Sequence, residues 1–138
     1  MRLFCYGTLQ FPRPMARVSG LRPRARPAVL KDYGCYILNG AVYPGIRPEP
    51  GMRTPGVIYD GIDMRRMARL DRYEGDEYVR QRVQVHTADA RLQEAWVYII
   101  HPEVRACLSD IPWDRYRFER QHLAAWLRGA GLKPHGYG

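Results

Sequence analysis

Leu3-Phe4-Cys5-Tyr6-Gly7-Thr8-Leu9 opens the chain with a short apolar run that breaks into a glycine-containing turn. A strand that ends this way brings backbone N–H groups close to whatever lies in front of it, because glycine takes positive φ at low cost and has no side chain in the way. Such a turn can hold a carboxylate. Far downstream, Leu70-Asp71-Arg72-Tyr73-Glu74-Gly75 and Tyr78 set one carboxyl between two tyrosines, a setting able to lift its pKa toward the range useful for proton transfer. Each half is weak alone. Together they point to acid–base chemistry.

Working outward, residues 2–6 read as a strand and residues 10–32 as loop, since Pro12, Pro14, Pro23 and Pro27 deny a helix its interior hydrogen bonds. Tyr33–Leu38 reads as a second strand, Asn39-Gly40 as a two-residue hairpin turn and Ala41–Tyr43 as the antiparallel return, ended by Pro44-Gly45. Residues 47–54, with Pro48, Pro50 and Gly51, read as loop before a strand at Gly56–Tyr59. Asp63 caps a short helix whose apolar side is Met64, Met67, Ala68 and Leu70, and which delivers Tyr73-Glu74. Tyr78–Thr87 alternates, with Val79, Val83 and Val85 on one face and Tyr78, Arg80 and Arg82 on the other. Ala95–Ile100 is apolar on both faces and reads as a central strand. Asp114 caps a helix running to Arg128, stopped by Gly129 and Gly131, and Lys133–Gly138 reads as a tail. The pattern is α+β in one domain over residues 1–138, with short, closely spaced strands able to curl toward a barrel.

Composition narrows the function. The net charge of +8 rests on twenty Arg against two Lys. The arginines are scattered among acidic neighbours and lack the Gly/aromatic pattern of an RNA-binding sheet, so nucleic acid is not indicated and attraction of small anions is favoured. Cys5, Cys35 and Cys107 form no CxxC pair and have no histidine at zinc spacing, which indicates free thiols and neither a disulfide framework nor a metal site. Cys5 precedes the first turn by one residue and would need a base beside it to act as a nucleophile. No signal-peptide pattern and no membrane-length apolar run is present, so a cytoplasmic, membrane-free protein is expected. Oligomeric state is not encoded in any motif.

Phe4–Leu9, the Tyr43-Pro44-Gly45-Ile46 turn, Gly56-Val57-Ile58-Tyr59 and Leu70–Arg80 together resemble the gamma-glutamylcyclotransferase-like family, which includes the plant avirulence-induced proteins, over about residues 2–100. The resemblance implies a mixed sheet partly closed into a barrel with flanking helices, and a cavity where the first turn faces the glutamate. It implies cleavage of a γ-glutamyl amine or γ-glutamyl amino acid: the substrate's own α-amino group attacks the γ-carbonyl, giving 5-oxoproline and the free amine. By motif, Glu74 is the general acid and base; Gly7, Thr8 and Leu9 hold an anionic oxygen through their amides, Tyr6 lines the cavity and Tyr78 donates to substrate. Arg80 pairs with an acidic neighbour. No cofactor is implied. Here Phe11-Pro12-Arg13-Pro14 is expected to break any helix after the first turn. Two other readings stay open. One is a non-catalytic binding or regulatory protein that meets an anionic partner through the basic loop 22–31; the other is hydrolysis of a related amide by water.

Overall fold

The computed structural model describes residues 1–130. Its strands are β1 (Leu3–Cys5), β2 (Ala25–Leu38), β3 (Pro44–Tyr59), β4 (Tyr78–Thr87), β5 (Leu92–Ile100) and β6 (Leu108–Pro112). Its main helices are α1 (Pro12–Ser19), α2 (Met64–Glu74) and α3 (Arg115–Gln121). The sheet runs β3-β1-β5-β4-β2-β6, and β2 also pairs with β3. That second pairing closes β1 to β5 into a barrel and leaves β6 on the free edge of β2. Among the described residues only the β1–β5 pairing is parallel and the other pairings are antiparallel, so the sheet is mixed, as expected.

Closure depends on the length of the β2–β3 hairpin, which the sequence reading had cut into pieces. Residues 25–31 belong to β2 and residues 47–54 to β3, where loop had been expected. Prolines survive there because β3 has a neighbour on one side only along this stretch, and an edge strand loses no ladder bond where the missing N–H faces outward. The return also starts later than expected: Asn39-Gly40 form the turn, closed by the Ala41 amide donating to Leu38, but Ala41–Tyr43 lie outside the strand and β3 begins at Pro44. A register shift between Lys31 and Tyr33, with Asp32 at φ 66°, bends β2. Its first half then reaches β4 at Ala28 and Val29, and its second half reaches β6 at Tyr36 and Leu38.

Residues 12–19 are a helix, contrary to the loop expected from Pro12 and Pro14. Both prolines lie in the first turn of α1, where backbone N–H groups have no intrahelical partner to lose. Gly20, at φ 80°, ends it. Asp63 caps α2 as expected, accepting the Arg66 amide at 2.8 Å. The buried side of α2 is Met67, Leu70 and Tyr73, whereas Met64 is 81% exposed and Ala68 also faces out. Asp114 caps α3, but the helix breaks at His122 and continues irregularly through Leu123–Ala125 and Trp126–Ala130, with Gly129 at φ 97°. Gly131 and the expected tail lie outside the described residues.

Strand alternation sorts the buried residues into two clusters. Phe4, Ala28, Leu30, Ile46, Ile58, Val85, Ala95, Val97 and Ile99, drawn from all five barrel strands, fill the interior together with Tyr6. Leu3, Cys5, Tyr59, Tyr78, Tyr98 and Ile100 face outward and are covered by Met15, Met67, Leu70, Tyr73, Phe118 and Trp126 of the helical segments. Val79, expected beside Val83 and Val85, is exposed at 38%.

Candidate active site

The first turn is built by β1. After Cys5 the chain leaves the sheet and Thr8–Gln10 form a single 3-10 turn, closed by Gln10 N–H to Gly7 O at 3.1 Å and Phe11 N–H to Thr8 O at 3.2 Å. The amides of Thr8 and Leu9 come first in that turn and have no acceptor within it. Gly7 does not adopt the positive φ that the sequence suggested. Its φ is −113°, and what crowds a side chain is Pro44, whose Cγ would lie 3.0 Å from an added Cβ and would have to shift.

The second wall is the end of α2. Glu74 is its last residue, and Gly75, at φ 73°, turns the chain away while its amide caps Asp71 O. A half-open cleft of about 30 Å³ is lined by Phe4–Leu9, Tyr43, Pro44, Tyr73, Glu74, Tyr78 and Tyr98. Every residue expected at the site therefore lines one cleft: Tyr6, Gly7, Thr8 and Leu9 on one side, Glu74 and Tyr78 on the other. Tyr43, Tyr73 and Tyr98 complete it. Tyr43 stood within a quoted motif, but Tyr98 carried no signal, because its strand read as apolar on both faces.

Tyrosine hydroxyls fasten the walls. Tyr6 donates to Tyr98 O at 2.6 Å, Tyr59 to Leu9 O at 2.7 Å and Tyr78 to Pro44 O at 2.7 Å, all buried. The Tyr78 proton is thus directed to Pro44, so donation to a bound molecule would require the hydroxyl to turn. Burial, and then the Glu74 charge, push the Cys5 thiol well up, which disfavours the thiolate that a nucleophile needs. Burial first, with Glu74 contributing, also raises Tyr6, Tyr73, Tyr78 and Tyr98, so these phenols stay protonated. The Glu74 carboxylate is thus felt by Cys5 and by four of the tyrosines around the cleft.

Position explains why Glu74 differs from the other acids of its segment. Asp63 is spent on the helix cap, Asp71 accepts from Arg80 as expected, Asp76 is exposed, and Glu77 does not line the cleft. A larger groove, about 700 Å³, shares Tyr6 but holds one acid, Asp114, which is occupied in capping α3. Of the tryptophans, Trp126 is buried, and Trp96 and Trp113 pack at the margin of the outer cluster. Arg26 pairs with Asp60 at 2.9 Å, while Ala28 and Leu30 point into the barrel, so the segment 22–31 is strand from Ala25 on, with Arg22 and Arg24 exposed ahead of it. Among the described residues no helix is long and apolar enough to cross a membrane.

A barrel of this topology with a turn and a helix-end glutamate across one cleft defines a cyclotransferase-like fold. The chain belongs to the gamma-glutamyl cyclotransferase, AIG2-like family, whose family model matches residues 3–118. It is similar to Protein AIG2 B of Arabidopsis thaliana, at 31% identity over 131 residues covering 93% of this chain and 76% of that protein. A solution structure of an Arabidopsis thaliana protein superposes with a TM-score of 0.73 at 22% identity, over 93% of this chain and 78% of that one. A solved structure described as gamma-glutamyl cyclotransferase gives 0.65 at 18% identity, over 72% of this chain and 66% of that one.

Proposed function

We propose that this protein cleaves a γ-glutamyl amine or γ-glutamyl amino acid to 5-oxoproline and the free amine, without a cofactor. The observation that carries the reading is that Glu74 and the first-turn residues Thr8 and Leu9 line the same tyrosine-walled cleft. Glu74 takes a proton from the substrate's attacking α-amino group, the new C–N bond closes the five-membered ring, and the γ-carbonyl oxygen takes up negative charge. Collapse of that intermediate breaks the bond to the departing nitrogen, which receives the proton from Glu74. One carboxyl serves both transfers because it is ionised at the first and protonated at the second. The amides of Gly7, Thr8 and Leu9 hold an anionic oxygen of the glutamyl group, and Tyr6 and Tyr78 shape its walls. The cleft has room for about two water molecules, so a whole glutamyl chain requires side chains at its mouth to move aside.

The test is product analysis. A panel of γ-glutamyl amines, γ-glutamyl amino acids and glutathione is incubated with the protein and both products are quantified. Equal release of 5-oxoproline and amine supports the reading. Release of glutamate in place of 5-oxoproline would mean that water, and not the internal amine, attacks; no turnover across the panel would leave the fold without this activity.

A further inference from the structure

Asp71 stands one helical turn before Glu74 on α2, close to the negative end of the helix dipole, where an acidic side chain is unfavourable unless a cation offsets it. Three hydrogen bonds occupy its carboxylate. Oδ1 accepts the Tyr98 hydroxyl at 2.7 Å and Arg80 Nε at 2.9 Å, and Oδ2 accepts Arg80 Nη2 at 3.2 Å. Arg80 is fixed in turn from its other side, its guanidinium lying 4.3 Å from the centre of the Trp96 ring. Two strands, β4 and β5, therefore grip one side chain of α2. The same Tyr98 lines the cleft and offers its carbonyl to the Tyr6 hydroxyl at the start of the first turn.

This grip matters because of where α2 stops. Its apolar anchors Met67, Leu70 and Tyr73 lie on one face, and Glu74 is the final helical residue before the chain turns at Gly75. Terminal helical turns open most readily unless tertiary contacts hold them. Residues three apart on a helix project to the same side, so fixing Asp71 fixes the direction in which Glu74 leaves the helix.

We propose that Asp71 is a positioning residue: through Arg80 and Tyr98 it locks the last turn of α2 to the sheet and sets the Glu74 carboxyl at its height over the first turn. The kinetic part rests on the reading of Glu74 as the proton carrier; the structural part does not. Amide hydrogen exchange of the full chain is measured for the wild type, Asp71→Asn, Arg80→Gln, Arg80→Lys and Tyr98→Phe. Exchange at Tyr73, Glu74 and Gly75 should quicken by about 10- to 10²-fold in Asp71→Asn and Arg80→Gln, the factor that loss of a charge-assisted hydrogen bond carries. Val97 and Ile99 in β5 should be unchanged, and Arg80→Lys should recover part of the protection. In parallel, on whichever panel compound the wild type turns over, kcat should fall by about 10- to 10²-fold with KM nearly constant, the scale of a small misplacement of a reacting group. Unchanged exchange at Tyr73–Gly75 in Asp71→Asn overturns the proposal, as does a loss carried by KM alone. Faster local exchange in a protein that turns over nothing supports the lock and counts against the enzymatic reading.

Discussion

The two faces of β5 are built for different tasks. Ala95, Val97 and Ile99 point into the barrel, among Phe4, Ile46, Ile58 and Val85. Trp96, Tyr98 and Ile100 point outward, into a layer that also holds Tyr59, Tyr73 and Tyr78. Inside, aliphatic side chains contribute volume and little direction, which suits a part whose role is to keep the barrel closed. Outside, each tyrosine buries a ring and still has a hydroxyl to aim. Tyr59 aims it at Leu9, Tyr78 at Pro44 and Tyr98 at Asp71, and all three targets belong to the walls of the cleft or to the helix that carries Glu74. The lesson is a separation of duties: the interior determines that the protein folds, and the tyrosine layer determines where the cleft's walls stand.

The largest expected effect touches neither layer. Glu74→Gln preserves the shape of the side chain but removes its capacity to carry a proton, so turnover should fall by about 10²- to 10⁴-fold. Thermal melting should stay near the wild-type value, and substrate affinity should change little because the first turn, and not Glu74, holds the glutamyl group. Kinetics of 5-oxoproline release alongside a melting curve check both halves. Near wild-type turnover in the folded variant would remove Glu74 from the chemistry.

Ile58→Ala tests the opposite limit. Ile58 is fully buried in the barrel, opposite Phe4 in the β1–β3 pairing, and its truncation should lower stability by about 2–5 kcal/mol through lost burial and a residual cavity. Turnover per folded molecule should be close to normal. Denaturant unfolding gives the first number and active-fraction kinetics the second. A large loss of activity in the folded fraction would show that the interior does position the site, and the separation of duties would fail.

How far the sequence carried the fold follows from the range of the interactions involved. Short-range signals were legible: Asp63 as a cap, Asn39-Gly40 as a turn and the alternation of Val83 and Val85 all express preferences settled within a few residues. Residues 12–19 and 47–54 were misread because proline was taken as a breaker at every position. Pro12 and Pro14 sit in a first helical turn and the prolines of β3 on an edge, and only the tertiary arrangement creates those exemptions. At the candidate site the two motifs met as their pairing implied. What stayed hidden was the support: Tyr98 reads as one apolar letter of a central strand, and its contacts with Asp71 and Tyr6 span 27 and 92 residues of sequence. Gly7 does not use the positive φ that the sequence suggested; what crowds a side chain there is the approach of Pro44.

The smallest effect should come from Tyr59→Phe, which probes the boundary between the two duties. The ring stays in the outer cluster and only the hydroxyl is lost, which leaves the Leu9 carbonyl without its buried donor. The cost should be about 1–3 kcal/mol of stability, with a modest loss of activity because the first turn is less firmly held. The pH dependence isolates the hydroxyl from everything else. Burial raises the Tyr59 phenol far above its ordinary value, with the Cys5 contribution adding and the Arg115 charge opposing, so in the folded protein the neutral form is strongly favoured. In the unfolded chain the same group ionises at about pH 10. A folded-state value raised in this way gives a contribution that is fully present below the unfolded pKa and is lost as pH climbs toward the folded one. The stability gap between wild type and Tyr59→Phe should therefore be flat from roughly pH 5 to 9 and shrink above about 10, where only the wild-type unfolded chain gains the extra ionisation. Urea unfolding of both proteins across that range measures the gap directly. A gap that instead widens above pH 10 would mean that Tyr59 ionises in the folded protein, and with it the claim that a buried, protonated tyrosine holds the first turn would be lost.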